Sequence, residues 1–106
     1  MKKKLIFLFL FLGFVKNVYA EPQRIVSGNI DAKITIIIYE SLTCSHCADF
    51  HKTVYPKLKK DYLDTGIAKI EFRHFPLDIA AFNAAKIAQC NYSLSLDILE
   101  NLYANQ

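Results

Sequence analysis

The chain has 106 residues, room for one domain, with a formal net charge of +3 and 53% hydrophobic residues. Lys2, Lys3, Lys4 and Lys16 account for four of the thirteen basic residues, whereas all ten acidic residues lie beyond them. The positive charge therefore belongs to the N-terminus. Nine basic against ten acidic residues in the remainder give no support to nucleic-acid binding.

The first twenty residues read as a secretory signal peptide. A basic start at Lys2–Lys4 is followed by the apolar "LIFLFLFLGFV", and "KNVYA" ends on the small residue Ala20. A membrane span needs about 20 apolar residues, and Lys16 closes this run well short of that. The expected division is residues 1–20 as signal and residues 21–106 as the exported domain, in an oxidising compartment where a cysteine pair can exist as a disulfide.

In chain order, Ile25 and Val26 give a short apolar touch before a turn at Gly28-Asn29. "ITIIIY", Ile34 to Tyr39, is apolar on both alternating faces, which predicts a central strand covered on both sides. Thr43 is placed to cap a helix beginning at Cys44, with a buried stripe of Cys47, Phe50, Val54, Leu58 and Tyr62. Pro56 predicts a kink in it, "KLKK" at 57–60 its wet face, and Gly66 its end.

"AKIEFRHF" alternates Ala68, Ile70 and Phe72 against Lys69, Glu71 and Arg73, predicting a half-buried strand. A helix over Ile79–Cys90, wet only along Asn83, Lys86 and Gln89, follows Pro76 and Asp78. "NYS" breaks it, and Ser95 to Ala104 forms a further helix with Leu99, Leu102 and Tyr103 inward. Strand, helix, strand implies a parallel α/β crossover, with the cysteine pair where the first strand hands over to the helix. Sites in open α/β sheets gather at that end of the strands.

"SLTCSHCADFHK" places Cys44 and Cys47 at i and i+3 of a first helical turn. That spacing allows a disulfide, whose Cα atoms lie about 4.4–6.8 Å apart. Unpaired N–H groups at the helix start, and His46 when protonated, favour a thiolate at Cys44. Cys47 belongs to the sheltered stripe. An exposed attacking thiol beside a sheltered resolving one is the arrangement that thiol–disulfide exchange uses. A zinc site from Cys44, Cys47, His51 and Cys90 is the rival reading, but no second ligand pair at zinc spacing is present, and His51 reads as a solvated helix residue. Ala48 after Cys47 excludes covalent haem. Cys90 reads as a small buried apolar residue on the face of Ala81, Ala84 and Ile87, and His74 as a surface residue.

From Ser27 onward, "SGNIDAKITIIIYESLTCSHCADFHKTVYPKLKKDYLDTGIAKIEFRHFPLDIAAFNAAKIAQC" resembles the N-terminal half of the DsbA family of thiol:disulfide oxidoreductases, thioredoxin folds with an inserted helical domain. The resemblance implies that Cys44 is the nucleophile, Cys47 the resolving cysteine, and Ser45-His46 the dipeptide that sets the redox potential. It implies oxidation of thiols in exported proteins, a membrane quinone-linked partner that restores the disulfide, a periplasmic or otherwise exported location, and no metal or organic cofactor.

Three departures accompany it. Ser45-His46 replaces the common Pro-His. Ile38 stands six positions before Cys44, where many members have a buried acid, and no proton-relay role is carried over to nearby Glu40. The family's second thioredoxin half, with its cis-proline, has no counterpart, since Pro22, Pro56 and Pro76 lie elsewhere. The expected architecture is thus a thioredoxin-like βαβ unit followed by the start of the inserted helical domain. The alternatives are a non-catalytic truncated remnant of such an enzyme, weakly stable and associating through Ile34–Tyr39, and a small exported metal-binding module.

Overall fold

A computed structural model describes residues 23–106, and the expected signal peptide lies outside the described residues. Strand β1 is Ile25–Gly28, β2 is Ile34–Glu40 and β3 is Ala68–His74. Between β2 and β3 run helix α1, Ser45–Thr53, the short helix α2, Tyr55–Leu58, and a π-helical turn over Lys59–Leu63. Helix α3, Ile79–Gln89, and helix α4, Ser95–Ala104, follow, separated by a 3-10 turn at Tyr92–Leu94. Among the described residues no helix is long and apolar enough to cross a membrane.

The sheet has the order β1-β3-β2, with β2 parallel and β1 antiparallel to β3. The parallel crossover is as expected. Strand β1 stands where only a short apolar touch was expected, because Ile25-Val26 is too short an apolar run to display a period. Glycine ends it. Gly28 has φ +99°, and a Cβ there would lie 3.0 Å from the Ala68 carbonyl oxygen, so both conformation and space demand glycine.

The period of two divides the sheet into two faces. Ile36, Ile38 and Glu40 pair in register with Ile70, Phe72 and His74 on the inner face. There they meet a core that includes Ile25, Ala48, Tyr55, Leu63, Leu99 and Tyr103. On the outer face Arg73 Nε donates to Glu71 Oε1 at 2.6 Å and Arg24 Nη1 to Glu71 Oε2 at 3.2 Å. Burial opposes ionisation of Glu71, but these two guanidinium groups outweigh it and hold its carboxyl below the usual range.

Strand β2 is not central among the described residues. It is an edge strand, with Ile34, Ile37 and Tyr39 exposed. Apolarity on both faces identified a strand made to be covered; it did not place that cover within this stretch of chain.

The helices correct the expected pattern by about one position. Helix α1 starts at Ser45 with Cys44 as its N-cap residue, and Thr43 makes no capping bond. Ala48, His51, Tyr55 and Leu63 are buried, with Cys47, Phe50 and Leu58 partly so, while Val54 and Tyr62 are exposed. The expected kink is a break: α1 ends before Val54, and Pro56 sits in the first turn of α2, where its missing N–H has no helical acceptor to lose. Gly66, at φ +75°, ends the segment as expected.

Helix α3 buries only its alanine stripe, Ala81, Ala85 and Ala88, and leaves Ile79, Phe82 and Ile87 exposed, so its wet face is wider and more apolar than anticipated. Helix α4 turns Leu99 and Tyr103 inward as expected. Tyr55 Oη donates to Glu100 Oε1 at 2.8 Å, which makes the Ser27 hydroxyl the donor to Tyr55 at 2.7 Å. That chain of bonds ties β1, α2 and α4 together.

Leu99 is fully buried, so Leu99→Ala should lower unfolding free energy by about 2–5 kcal/mol in urea titrations. The open edge of β2 should promote self-association of the chain from Glu21, seen as a concentration-dependent sedimentation coefficient. Ile37→Lys, placing a charge on that exposed edge, should shift it toward the monomer.

Candidate active site

Strand β2 delivers the motif. After Glu40 the chain turns through Ser41-Leu42-Thr43, and the Cys44 amide donates to the Ser41 carbonyl at 3.1 Å. The Cys44 carbonyl accepts from Ala48 N at 3.1 Å, the first bond of α1. The segment after β3 braces this turn. Phe75 N donates to the Glu40 carbonyl at 2.7 Å, Leu77 N to Ser41 Oγ at 3.3 Å, and Thr43 Oγ1 to Asp78 Oδ2 at 2.7 Å. Asp78 also caps α3, accepting from Ala81 N at 2.7 Å, so one carboxylate holds both the motif loop and a helix start. Those donors hold the Asp78 carboxyl below its usual range.

Cys44 and Cys47 are both half-buried thiols, so the expected contrast in exposure is slight. Their environments differ. The Cys47 thiol and the backbone N–H groups of Cys47 and His46 are directed at the Cys44 sulfur and lower its pKa. Burial pushes the Cys47 thiol up, opposed by the Ser41 backbone and reinforced by negative charge on Cys44 and Glu40. The His46 side chain is exposed. Its backbone N–H, not its imidazole, is what the structure directs at Cys44.

Three residues read as bland or solvated lie elsewhere than expected. His51 is buried, with Nε2 2.8 Å from Glu40 Oε2. Its neighbours in the sequence gave no sign of this, because the acceptor comes from β2. His74 is half-buried at the end of β3, and burial lowers its pKa against the opposing pull of Glu40. Cys90 is exposed at the end of α3, its thiol donating to the Lys86 carbonyl at 3.1 Å. Among the described residues no cluster of three or more His, Cys, Asp or Glu could hold a metal, so Cys44, Cys47, His51 and Cys90 do not come together as a ligand set.

A parallel β–α–β unit with a Cys-x-x-Cys pair at the strand-to-helix junction defines a thioredoxin-like protein. The thioredoxin family profile matches residues 20–106. Alpha-DsbA1 of Wolbachia pipientis superposes with a TM-score of 0.70 at 38% identity, over 78% of this chain and 43% of that one. BdbD of Bacillus subtilis gives 0.68 at 25% identity, over 78% and 48%. A Rickettsia bellii protein with a provisional protein-disulfide oxidoreductase name is 39% identical over 70 residues, 66% of this chain and 27% of that protein. Disulfide bond formation protein D of B. subtilis is 34% identical over 47 residues, 44% of this chain and 21% of that protein. The chain belongs to the thioredoxin family, on its DsbA branch. It spans about a quarter of the curated relatives it matches and less than half of the solved chains.

Iodoacetamide labelling of the reduced chain across pH should show Cys44 reacting faster than Cys47, with its midpoint below the free-thiol value of about 8.5. Faster labelling of Cys47 would reverse the assignment of the two sulfurs.

Proposed function

We propose that the chain carries the redox pair of an exported thiol–disulfide oxidoreductase, acting through Cys44-Ser45-His46-Cys47. The observation that carries this reading is the Cys44–Cys47 pair at the junction of β2 and α1, with Cys44 the N-cap residue of the helix and Cys47 one turn on, against the core. A substrate thiolate attacks Cys44 Sγ of the disulfide, breaking the Cys44–Cys47 bond and releasing Cys47 as the leaving thiol. A second substrate thiolate then attacks the mixed disulfide, forms the substrate disulfide and leaves both cysteines reduced. No metal or organic cofactor enters these steps.

Substrates on this reading are thiol-bearing exported proteins, and a quinone-linked membrane partner is the reoxidant. The family relationship and the signal-like N-terminus support export to a periplasmic or equivalent space. A low Cys44 pKa stabilises the dithiol relative to the disulfide once pH rises through that pKa, so the disulfide becomes a stronger oxidant there.

The decisive experiment mixes the oxidised chain with a reduced, cysteine-containing protein. Cys47→Ala should accumulate a mixed disulfide and Cys44→Ala should form none. Absence of exchange by the unaltered chain would instead favour a non-catalytic module, the reading that the open edge of β2 supports. His46→Leu removes a positive charge beside the Cys44 sulfur whenever His46 is protonated. In glutathione equilibrium it should lower the reduction potential only slightly, by less than the roughly 30 mV that corresponds to about 1.4 kcal/mol, because the backbone N–H groups at Cys44 remain in place.

A further inference from the structure

The turn that carries β2 into the motif lies beyond the last paired residues of the sheet, so the ladder does not fix its shape. Nor does the helix, because Cys44 makes no side-chain capping bond and α1 starts only at Ser45. The position of this turn matters to both sulfurs. The Ser41 carbonyl accepts from the Cys44 amide, and the Ser41 backbone also acts on the Cys47 thiol. The backbone of one residue therefore stands between the two cysteines.

Side chains hold it there. Ser41 is buried, and its Oγ accepts from Leu77 N at 3.3 Å and from Thr43 N at 3.5 Å. Thr43 Oγ1 commits its proton to Asp78 Oδ2 at 2.7 Å, which makes the Ser41 hydroxyl the donor across the 3.3 Å to Thr43 Oγ1. The bonds thus run in one direction, from Leu77 N through Ser41 and Thr43 to the Asp78 carboxylate. Hydrogen bonds in series polarise one another, and an ionised acceptor at the end strengthens the last of them. Asp78 is itself anchored, its other oxygen accepting from Ala81 N at the start of α3. A separate bond, Gln106 Nε2 to the Leu42 carbonyl at 2.6 Å, holds the middle of the turn and leaves its two hydroxyl-bearing ends to this series.

We propose that Ser41, Thr43 and Asp78 form a hydroxyl latch that positions the two sulfurs, with Asp78 acting on Cys44 through Thr43 rather than through its charge. The inference deepens the redox reading of Cys44 and Cys47 and rests on it. All three side chains are positioning residues. Thr43 is joined directly to Cys44, so the closed latch keeps Cys44 extended at φ −91° and ψ 114°, where the amides of His46 and Cys47 reach its sulfur. An open latch frees Cys44 to turn from those amides, and its thiolate loses donors. The two routes open to Asp78 have opposite signs. A carboxylate acting through space disfavours a thiolate, whereas one acting through the latch favours it.

The test is alkylation of the reduced full chain by iodoacetamide across pH, read at Cys44 by peptide mass spectrometry. Thr43→Val keeps the shape and removes the hydroxyl. It should slow Cys44 about threefold below the midpoint. The midpoint should rise by about half a pH unit, and the rates should meet once the thiol is fully ionised. Thr43→Ser should restore the unaltered profile. Asp78→Ala should raise the midpoint as Thr43→Val does, and the double variant no further, because both remove one bond. Above the midpoint, the glutathione equilibrium of these variants should move about threefold toward the disulfide. Should Asp78→Ala unfold α3, Thr43→Val decides alone, since Thr43 is exposed and caps no helix. An unmoved midpoint in Thr43→Val overturns the latch, and so does a lowered midpoint in Asp78→Ala, which is the sign of charge acting through space. Both leave the redox reading standing while the unaltered chain forms a mixed disulfide with a reduced protein. An unaltered chain that forms none overturns the redox reading, and the latch with it.

Discussion

The parallel pairing of β2 on β3 is the constraint on which the rest depends. Its register sets Ile36 beside Ile70, Ile38 beside Phe72 and Glu40 beside His74, so one face of the sheet changes from apolar to ionisable at its last layer. A slip of β2 by one residue would invert its faces relative to β3, sending Tyr39 inward and Glu40 to solvent. The bond from Phe75 N to the Glu40 carbonyl, one step beyond the last paired residues, continues the pairing into the motif loop. The cysteines stand where they do because this pairing ends at Glu40 and the chain turns through Ser41, Leu42 and Thr43 before Cys44 caps α1.

The difference between the two thiols follows from that turn. Cys44 is the last extended residue, at φ −91° and ψ 114°, so the first free N–H groups of α1 converge on its sulfur. Cys47 is one turn further in, on the side of the helix that faces the core. Identical chemical groups three residues apart thus meet donors in one case and low dielectric in the other. Sequence spacing, a helix start and a buried face are sufficient to produce the asymmetry, with no contribution required from the His46 imidazole.

What could be read in the sequence was whatever is encoded locally. The alternation of Ala68, Ile70 and Phe72, the stop at Gly66 and the inward Leu99 and Tyr103 all follow from period and backbone preference. Misplaced residues depend on partners distant in the chain. His51 is buried because β2 ends in a carboxylate eleven residues earlier and because Tyr103 covers it from α4. Cys90 was assigned to the alanine face of α3, but Ala81, Ala85 and Ala88 fill that face, and the helix ends at Gln89 before Cys90 can turn inward. The stripe of α1 drifted because it was extrapolated through Pro56, where the helix breaks and the phase resets. Thr43 looked like a cap because of its type; Asp78 claimed its hydroxyl from across the site. The Cys44–Cys47 pair was legible because its elements are adjacent, whereas Glu40 with His51 required the fold.

A buried Glu–His pair in an aromatic box is a poor way to gain stability. Removing two ionisable groups from water costs several kcal/mol per ion, and well-packed apolar residues in such positions are often neutral or stabilising. Ile36 and Ile38, on the same face of β2, show that this strand has no difficulty supplying apolar side chains to the core. The rings of Phe50, Tyr55, Phe72 and Tyr103 around His51 provide an apolar setting that a leucine would fill without orphaned atoms. Nor is the pair needed to fix the register, which the apolar layers and the Phe75 bond already specify. The polar layer falls at the single depth in the sheet that adjoins Cys47, and the charge on Glu40 acts on that thiol. Every other layer of the inner face that β2 and β3 form is apolar, Ile36 beside Ile70 and Ile38 beside Phe72, and the charge of this one ionisable layer adds to the burial that raises the Cys47 pKa.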